Sequence, residues 1–170
     1  MKIANLRAIL HALNHNNIRY LIAGGVAVNI HGYQRMTQDL DLVIQLIPEN
    51  IINALTTLEN LGYTPAIPVT KEQFAEKEIR NKWIETKHME VLPLISNLHP
   101  ETTLDIFVTE PFDFNLEYQQ ANLVQLDQNL NVRIISIQTL IQMKEKAGRD
   151  RDKDDILHLS WILENINDNE

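Results

Sequence analysis

Apolar residues recur along the chain at two spacings, which predict helices and strands in turn. Ile3, Leu6 and Leu10 share one helical face, so the chain is expected to begin with an amphipathic helix. This helix is predicted at residues 3–13, and four further helices are predicted at residues 26–31, 48–61, 137–147 and 152–165. Apolar runs typical of strands occupy residues 18–23, 39–46, 88–94, 102–109, 123–126 and 132–135. This order predicts a mixed β-sheet with helices around it.

Glycine, proline and serine mark the ends of several of these elements. Gly32 and Gly62 are expected to end the second and third helices, because glycine readily adopts the left-handed conformation that closes a helix. Pro48 suits a first helical turn, and Ser136 is a typical N-cap for the helix that follows it.

Two segments give weaker patterns. In residues 63–87, Pro65 and Pro68 interrupt the chain, and residues 71–83 are expected to form either a charged helix or a mobile excursion. Residues 111–122 are expected to be mostly irregular, with one helical turn at residues 116–120.

No internal repeat, low-complexity tract or linker divides the sequence. Residues 1–170 are therefore predicted to form one domain of the α/β (α+β) class, with a mixed-sheet core at about 1–135 and a C-terminal helical segment at about 136–168.

Composition narrows the range of functions. The 170 residues carry a net charge of −8, which argues against an extended DNA-binding surface, although a local basic groove would still be compatible with it. No apolar stretch is long enough for a membrane helix. The chain has no cysteine, which excludes disulfides and thiolate metal ligands and fits a cytoplasmic protein.

The chemistry is concentrated in residues 20–44, where an apolar strand runs into Gly24-Gly25 and a second strand carries Asp39 and Asp41. Residues two apart on a strand point to the same side, so the two carboxylates should project together. Carboxylates bind Mg²⁺, and glycines allow backbone N–H groups to approach phosphate at a helix start. This combination suits a metal-bound nucleoside triphosphate. The alternative is that the glycines form only a tight turn.

Asp-x-Asp alone is weak evidence, because Asp150-Arg-Asp152 and Asp152-Lys-Asp154 repeat the pattern on what is expected to be a solvated helix face. Two-metal chemistry also requires a third acid. Asp105 is the preferred candidate, because it is a lone carboxylate in an apolar strand. Glu90 and Asp113 are weaker alternatives.

Together these positions resemble the polymerase beta-like nucleotidyltransferase superfamily, and most closely its small bacterial branch of AbiEii-type and minimal nucleotidyltransferases. That branch has Gly-Gly-x-Ala, then His-Gly, then Arg-x-Thr-x-Asp-x-Asp. The matching residues here are Gly24, Gly25, Ala27, His31, Gly32, Arg35, Thr37, Asp39 and Asp41. A second block at residues 144–156 matches Lys-x-x-Ala-x-Arg-x-Lys-Asp-x-x-Asp-Ile, except that Arg151 replaces the lysine.

The resemblance implies a magnesium-dependent enzyme that transfers a nucleoside monophosphate from a triphosphate such as ATP to a hydroxyl group, with Mn²⁺ as an alternative metal. Asp39, Asp41 and Asp105 would be the catalytic residues and the ligands of a two-metal site. Nucleotide-binding roles are expected for Gly24, Gly25, Arg35, Thr37, Lys144 and Arg149.

Several of these roles have structural alternatives. Arg35 and Thr37 could equally brace the loop rather than contact phosphate, or they could be no more than a solvated arginine and a threonine at the start of a strand. Lys144 and Arg149 could instead pair with acids at helical spacing, which is usual in a run of mixed charge: Glu145, Asp150, Asp152 and Asp155. For Arg151 this is the preferred interpretation. His31 is expected to pack or cap rather than react.

The acceptor is left open as an RNA end, a protein side chain or a small molecule. A cognate protein partner and a toxin–antitoxin role are compatible with the resemblance, although AbiEii-type toxins have a larger C-terminal portion. The alternative function is a nonenzymatic nucleotide-sensing or partner-binding module, such as an antitoxin-like subunit.

Overall fold

The computed structural model describes residues 1–168 and has eight α-helices and seven strands in that range. The helices are α1 (Ile3–His15), α2 (Gly24–Ile30), α3 (Pro48–Asn60), α4 (Lys71–Ala75), α5 (Lys77–Lys87), α6 (Phe114–Gln120), α7 (Ile137–Ala147) and α8 (Lys153–Asn167). The strands are β1 (Tyr20–Ile22), β2 (Asp39–Ile44), β3 (Tyr63–Pro65), β4 (Val91–Ser96), β5 (Thr103–Phe107), β6 (Asn122–Asp127) and β7 (Leu130–Ile134).

All seven strands form one sheet in the order β3-β4-β5-β2-β1-β7-β6. The β2–β5 and β1–β7 pairs are parallel, and the other neighbours are antiparallel. The mixed sheet with flanking helices and a C-terminal helical segment confirms the predicted fold class. Because β2 lies between β1 and β5, its side chains are held by a neighbouring strand on each side.

One hydrophobic cluster joins the sheet to its helices. Leu40 and Leu42 of β2 are fully buried, as are Leu104 and Ile106 of β5. These residues alternate with half-exposed or exposed acids, so one face of the strand pair packs into the core while the other carries the carboxylates. In residues 1–168, no helix combines the length and apolar character needed to cross a bilayer.

Four local expectations were wrong or incomplete. The segment at 71–83 forms two ordered helices, and β3, which precedes them, was not predicted. β3 has only three residues and exists because it pairs with β4 about thirty residues later, a contact that no local pattern reveals. The irregular connection at 111–122 contains the whole of α6, for which Asp113 is the N-cap. Helix α2 begins at Gly24 rather than after the diglycine.

Candidate functional site

The parallel pair β2–β5 brings the predicted acids together. Asp41 is in register with Asp105, and Asp39 is in register with Thr103. Register partners point to the same face of a sheet, so all three carboxylates lie on one side of the pair. Thr103 Oγ1 donates a hydrogen bond of 2.7 Å to Asp39 Oδ1, which orients that carboxylate. The structure thus gathers residues that are more than sixty positions apart.

The glycine turn lies directly against this acidic face. Gly24 has a φ of +59°, and a Cβ built on it would lie only 1.8 Å from Asp41 Oδ2. A Cβ on Gly25 would lie 2.6 Å from Thr37 Oγ1 and 3.0 Å from Arg35 Nη2. Both glycines are therefore required by close approach, and at Gly24 also by backbone conformation. Five of the predicted site residues meet at this turn, namely Gly24, Gly25, Arg35, Thr37 and Asp41.

Burial and, to a smaller extent, mutual repulsion raise the pKa of two of the acids. Burial, followed by the charges of Asp41 and Asp39, raises the pKa of Asp105 to about 6, against a smaller opposing effect of Arg149. Burial and the charge of Asp39 raise the pKa of Asp41, although the Gly25 backbone N–H, Lys144 and Arg149 act in the opposite direction. The cluster carries more negative charge than its surroundings neutralise, which favours binding of a cation.

Carboxylate oxygens in a strained acidic cluster are suitable donors for Mg²⁺ or Mn²⁺. Even so, no group of three or more His, Cys, Asp or Glu side chains within residues 1–168 is arranged as a ready-made metal site. The donor chemistry of Asp39, Asp41 and Asp105 therefore fits a divalent metal, but their side chains do not form a closed ligand set.

The loop before β2 is braced by several hydrogen bonds. The Arg35 backbone N–H donates to Asn29 Oδ1, and Asn29 Nδ2 donates to the Arg35 carbonyl, each at 2.9 Å. Thr37 Oγ1 donates to the Asp39 carbonyl at 3.3 Å. The predicted bracing role of both residues is therefore present. Their side chains also touch Gly25, which leaves a contact with phosphate open as a prediction.

Lys144 is buried, and its Nζ lies 2.7 Å from Asp152 Oδ1 and 2.7 Å from Asp155 Oδ2. Lys144 thus pairs with nearby acids, as the structural alternative predicted, although its charge also lowers the pKa of Asp41. Asp152 was expected on a solvated helix face, and this was wrong. Gly148, with a φ of +61°, ends α7, so the chain turns and brings Asp152 back against Lys144.

Arg149 pairs with Glu90 at the surface, with Arg149 Nη2 2.9 Å from Glu90 Oε2. Glu90 is well exposed and precedes β4, so it does not join the acids on β2 and β5. Asp113 accepts from the Leu116 backbone N–H as the cap of α6. Both alternative third acids thus have other partners, which leaves Asp105 as the candidate in register with Asp41.

One neighbour of the site, Thr103, was missed in the sequence, and it contacts Asp39. Asp155 was named only as one of several acids that could pair with Lys144, and it also contacts Arg35. Neither the run of alternating charges nor the motif match at residues 144–156 indicated that Asp155 is buried. His31 packs as expected: its Nε2 lies 2.8 Å from the Ile135 carbonyl oxygen, and burial lowers its pKa.

A cavity of about 430 Å³ opens beside the loop that leads into Asp39. Thr37 and Gln38 line part of the cavity, and they directly precede Asp39 in the sequence. The rest of its lining is mostly apolar and includes Leu6, Val26, Ile30, Met36 and Leu126. It offers space for a planar or apolar group beside Arg35 and Thr37.

No protein-family model matches the sequence, and no curated protein sequence matches it. Solved structures do match the fold. The lincosamide antibiotic adenylyltransferase LnuA, bound to lincomycin, aligns with a TM-score of 0.61 at 16% identity, covering 95% of this chain and 98% of LnuA. ANT(2")-Ia, in complex with adenylyl-2"-tobramycin, aligns with a TM-score of 0.60 at 15% identity, covering 94% and 88% of the two chains.

A Thermotoga maritima protein provisionally assigned as a nucleotidyltransferase aligns with a TM-score of 0.58 at 15% identity, covering 95% of this chain and 92% of that one. At these identities the likeness establishes the fold alone. The chain has a nucleotidyltransferase-like fold, which confirms that part of the resemblance, whereas membership of the AbiEii-type branch stays a prediction.

Proposed function

We propose that the protein is a magnesium-dependent nucleotidyltransferase that transfers a nucleoside monophosphate from a nucleoside triphosphate to a hydroxyl group. The observation that carries this proposal is the register of Asp41 with Asp105, which places two mutually repelling carboxylates beside Asp39 and against Gly24. A partly buried cluster of like charges is costly for folding alone, so it favours a function that uses the excess negative charge.

In the proposed reaction, the acceptor hydroxyl oxygen attacks the α-phosphorus, the bond to the bridging oxygen of the β-phosphate breaks, and pyrophosphate leaves. Asp105 accepts the hydroxyl proton, and its raised pKa suits a base that works near neutral pH. Asp39, Asp41 and Asp105 would hold the metal ions, which stabilise charge on the phosphates. Thr103 orients Asp39 for this role through its hydrogen bond.

The nucleotide is proposed to lie along the glycine turn. Gly24 and Gly25 let its phosphates approach the backbone, and Thr37 and Arg35 stand at the edge of the same turn. Lys144 and Arg149 contribute positive charge from a greater distance, as their effects on the Asp41 pKa indicate. The cavity beside Thr37 offers room for a nucleobase or for part of the acceptor.

The acceptor is proposed to be a small hydroxylated molecule, and ATP is the proposed donor. LnuA is described as an adenylyltransferase bound to lincomycin, and ANT(2")-Ia is described with an adenylylated tobramycin. RNA ends and protein side chains remain alternatives, together with the toxin–antitoxin role and the cognate partner that they imply.

The nonenzymatic nucleotide-sensing module is the alternative, because the same glycine turn and acids could bind a nucleotide without transferring any part of it. A sensing module would bind nucleotide without consuming it. Binding and turnover must therefore be measured separately.

Calorimetric titration of ATP, GTP, CTP and UTP with MgCl₂ tests the proposal first. Binding by the wild type should be lost in Asp39→Asn/Asp41→Asn. It should persist in Glu49→Gln/Asp150→Asn, a control that removes the same charge from exposed positions. Incubation with lincomycin, tobramycin or total RNA should then show pyrophosphate release and an adduct heavier by one nucleotide. Binding without turnover on any acceptor class would favour the sensing module, and no binding by folded wild type would refute both.

A further inference from the structure

Asp155 is the most deeply buried carboxylate of the C-terminal helices, with a side chain only 1% exposed, and it contacts two cations from different elements. Its Oδ2 accepts a hydrogen bond of 2.7 Å from Lys144 Nζ on α7. Its Oδ1 lies 2.8 Å from Arg35 Nε in the loop that leads into β2. A single side chain on α8 thus joins α7 to the loop that borders the glycine turn.

Arg35 extends from Asp155 to that turn. Its Nε lies against the carboxylate, while its Nη2 lies 3.0 Å from the point that a Cβ on Gly25 would occupy. Its Nη1 donates to the Met36 carbonyl at 3.0 Å. The guanidinium is therefore held between Asp155 on one side and Gly25 on the other. Arginine in this position presents a planar set of donors to an anion at the turn.

The ion-pair network around Asp155 has no net charge. Lys144 and Arg35 supply two positive charges, and Asp152 and Asp155 supply two negative ones. The Arg35 Nε makes no hydrogen bond with acceptable geometry, so its contact with Asp155 is an ion pair. Burial of such a network is costly, and apolar residues often stabilise a fold equally well. A role beyond folding accounts for its presence here.

We infer that Asp155 is a positioning residue: it holds the Arg35 guanidinium beside Gly25, where that group binds the phosphates of the nucleotide. This inference rests on the proposed nucleotide site. Asp155 itself touches no substrate and acts through Arg35. The C-terminal helix α8 thereby sets the affinity of a turn that lies more than a hundred residues earlier in the chain.

Asp152 provides a matched control. It contacts Lys144 Nζ at the same distance of 2.7 Å as Asp155 does, and it is also buried, but its only ion pair in residues 1–168 is with Lys144, whereas Asp155 also pairs with Arg35. If the network only supports the fold, Asp152→Asn and Asp155→Asn should have similar consequences. If Asp155 positions Arg35, only Asp155→Asn should weaken nucleotide binding.

The experiment is a double-mutant cycle on the dissociation constant of ATP with Mg²⁺, measured by calorimetry. Asp155→Asn is expected to weaken binding by about tenfold, because it releases Arg35 from its position at the turn. Arg35→Gln is expected to weaken binding by about tenfold or more, because it removes the charged donor itself. The double variant should bind no more weakly than Arg35→Gln alone. Asp152→Asn should bind within about twofold of wild type, as a residue without a role at Arg35.

Equal weakening in Asp152→Asn and Asp155→Asn, or additive losses in the double variant, would overturn the inference while leaving the proposed function intact. Absence of ATP binding by the wild type would overturn both, and it would be evident before any variant is compared. If Asp155→Asn does not fold, Asp155→Glu replaces it in the cycle. That variant keeps a charge for Lys144 but displaces the carboxylate from Arg35, and the same non-additivity is expected.

Discussion

Asp41 and Asp105 occupy directly paired positions on the parallel strands β2 and β5, and the negative charge of Asp41 raises the pKa of Asp105. Burial is the larger cause of that shift. Neither carboxylate is neutralised by a contacting arginine or lysine, since Lys144 pairs with Asp152 and Asp155 and Arg149 pairs with Glu90. Because this negative charge is not compensated, the protonation of the site should depend on pH, and the site should attract cations.

The pH dependence of stability should reveal the Asp105 carboxyl. Its folded-state pKa of about 6 exceeds the ordinary aspartate value of 3.8, so the native state binds the proton more tightly than the unfolded state. The resulting stabilisation is complete below about pH 4 and is lost as the pH rises through 6. Asp105→Asn, which has no such proton, should gain roughly 2 kcal/mol of unfolding free energy relative to wild type between pH 4 and 7.

Urea denaturation at several pH values measures this difference. Asp150→Asn is the control, because the Asp150 side chain is 93% exposed and this variant should follow the wild type across the range. A constant difference between Asp105→Asn and wild type from pH 4 to 7 would contradict the assigned electrostatics.

Magnesium should stabilise the protein through the same acids. At pH 7.5, millimolar MgCl₂ is expected to raise the melting temperature of the wild type by about 2–4 °C, because the ion binds only the folded arrangement of carboxylates. EDTA should reverse the increase. Asp41→Asn should abolish it, and the wild type at pH 5 should show less of it, because Asp105 is then protonated. An equal increase in wild type and Asp41→Asn, measured by scanning fluorimetry, would argue against a metal site at these residues.

Gly24 should tolerate no side chain. In Gly24→Ala the new Cβ would overlap the Asp41 carboxylate and the backbone would keep a positive φ, so a loss of about 3 kcal/mol is expected. Gly148→Ala separates the two causes. Gly148 has nearly the same φ of +61°, but its nearest neighbour would lie 4.0 Å away, so a loss of about 1 kcal/mol is expected. Equal losses in chemical denaturation would show that Asp41 does not crowd the turn.

Lys144 should be far more important for stability than an exposed lysine in the same region. Lys144→Met leaves the buried carboxylates of Asp152 and Asp155 without their common partner, and a loss of about 3–5 kcal/mol is expected. Lys153→Met removes an exposed pair with Asp150 and should change the unfolding free energy by less than about 0.5 kcal/mol. A small effect of Lys144→Met in urea denaturation would mean that the buried pairs contribute little.

Much of the fold follows from local patterns. The amphipathic repeat of α1, the proline at the start of α3 and the Ser136 cap of α7 each lie within a few residues of the structure they specify. The strand β3 could not be predicted in this way, because its three residues are ordered by pairing with β4. The helices α4 and α5 could not be predicted with certainty either, because their charged sequence has no clear apolar stripe.

Local sequence patterns likewise predict only part of the candidate site. The spacing of Asp39 and Asp41 on one strand placed both side chains on one face, because side chains alternate along any strand. The position of Asp105 opposite Asp41 depends on the parallel register of β2 with β5, and the burial of Asp155 depends on the turn at Gly148 that folds α8 back onto α7. A lone carboxylate in an apolar strand marked Asp105 as a candidate, but short-range patterns give neither the register that sets it opposite Asp41 nor the turn that buries Asp155.

The sequence by itself thus determined the order of elements, the class of fold, and the pairing of a glycine turn with two acids on one strand, since these properties depend on backbone periodicity over a few residues. Only the tertiary structure decided which third carboxylate faces Asp41 and which acids pair with Lys144. It also decided how Arg35 is held at the turn. Burial and Coulomb interaction between distant residues set these contacts, and both depend on distances in space that exist only once the chain has folded.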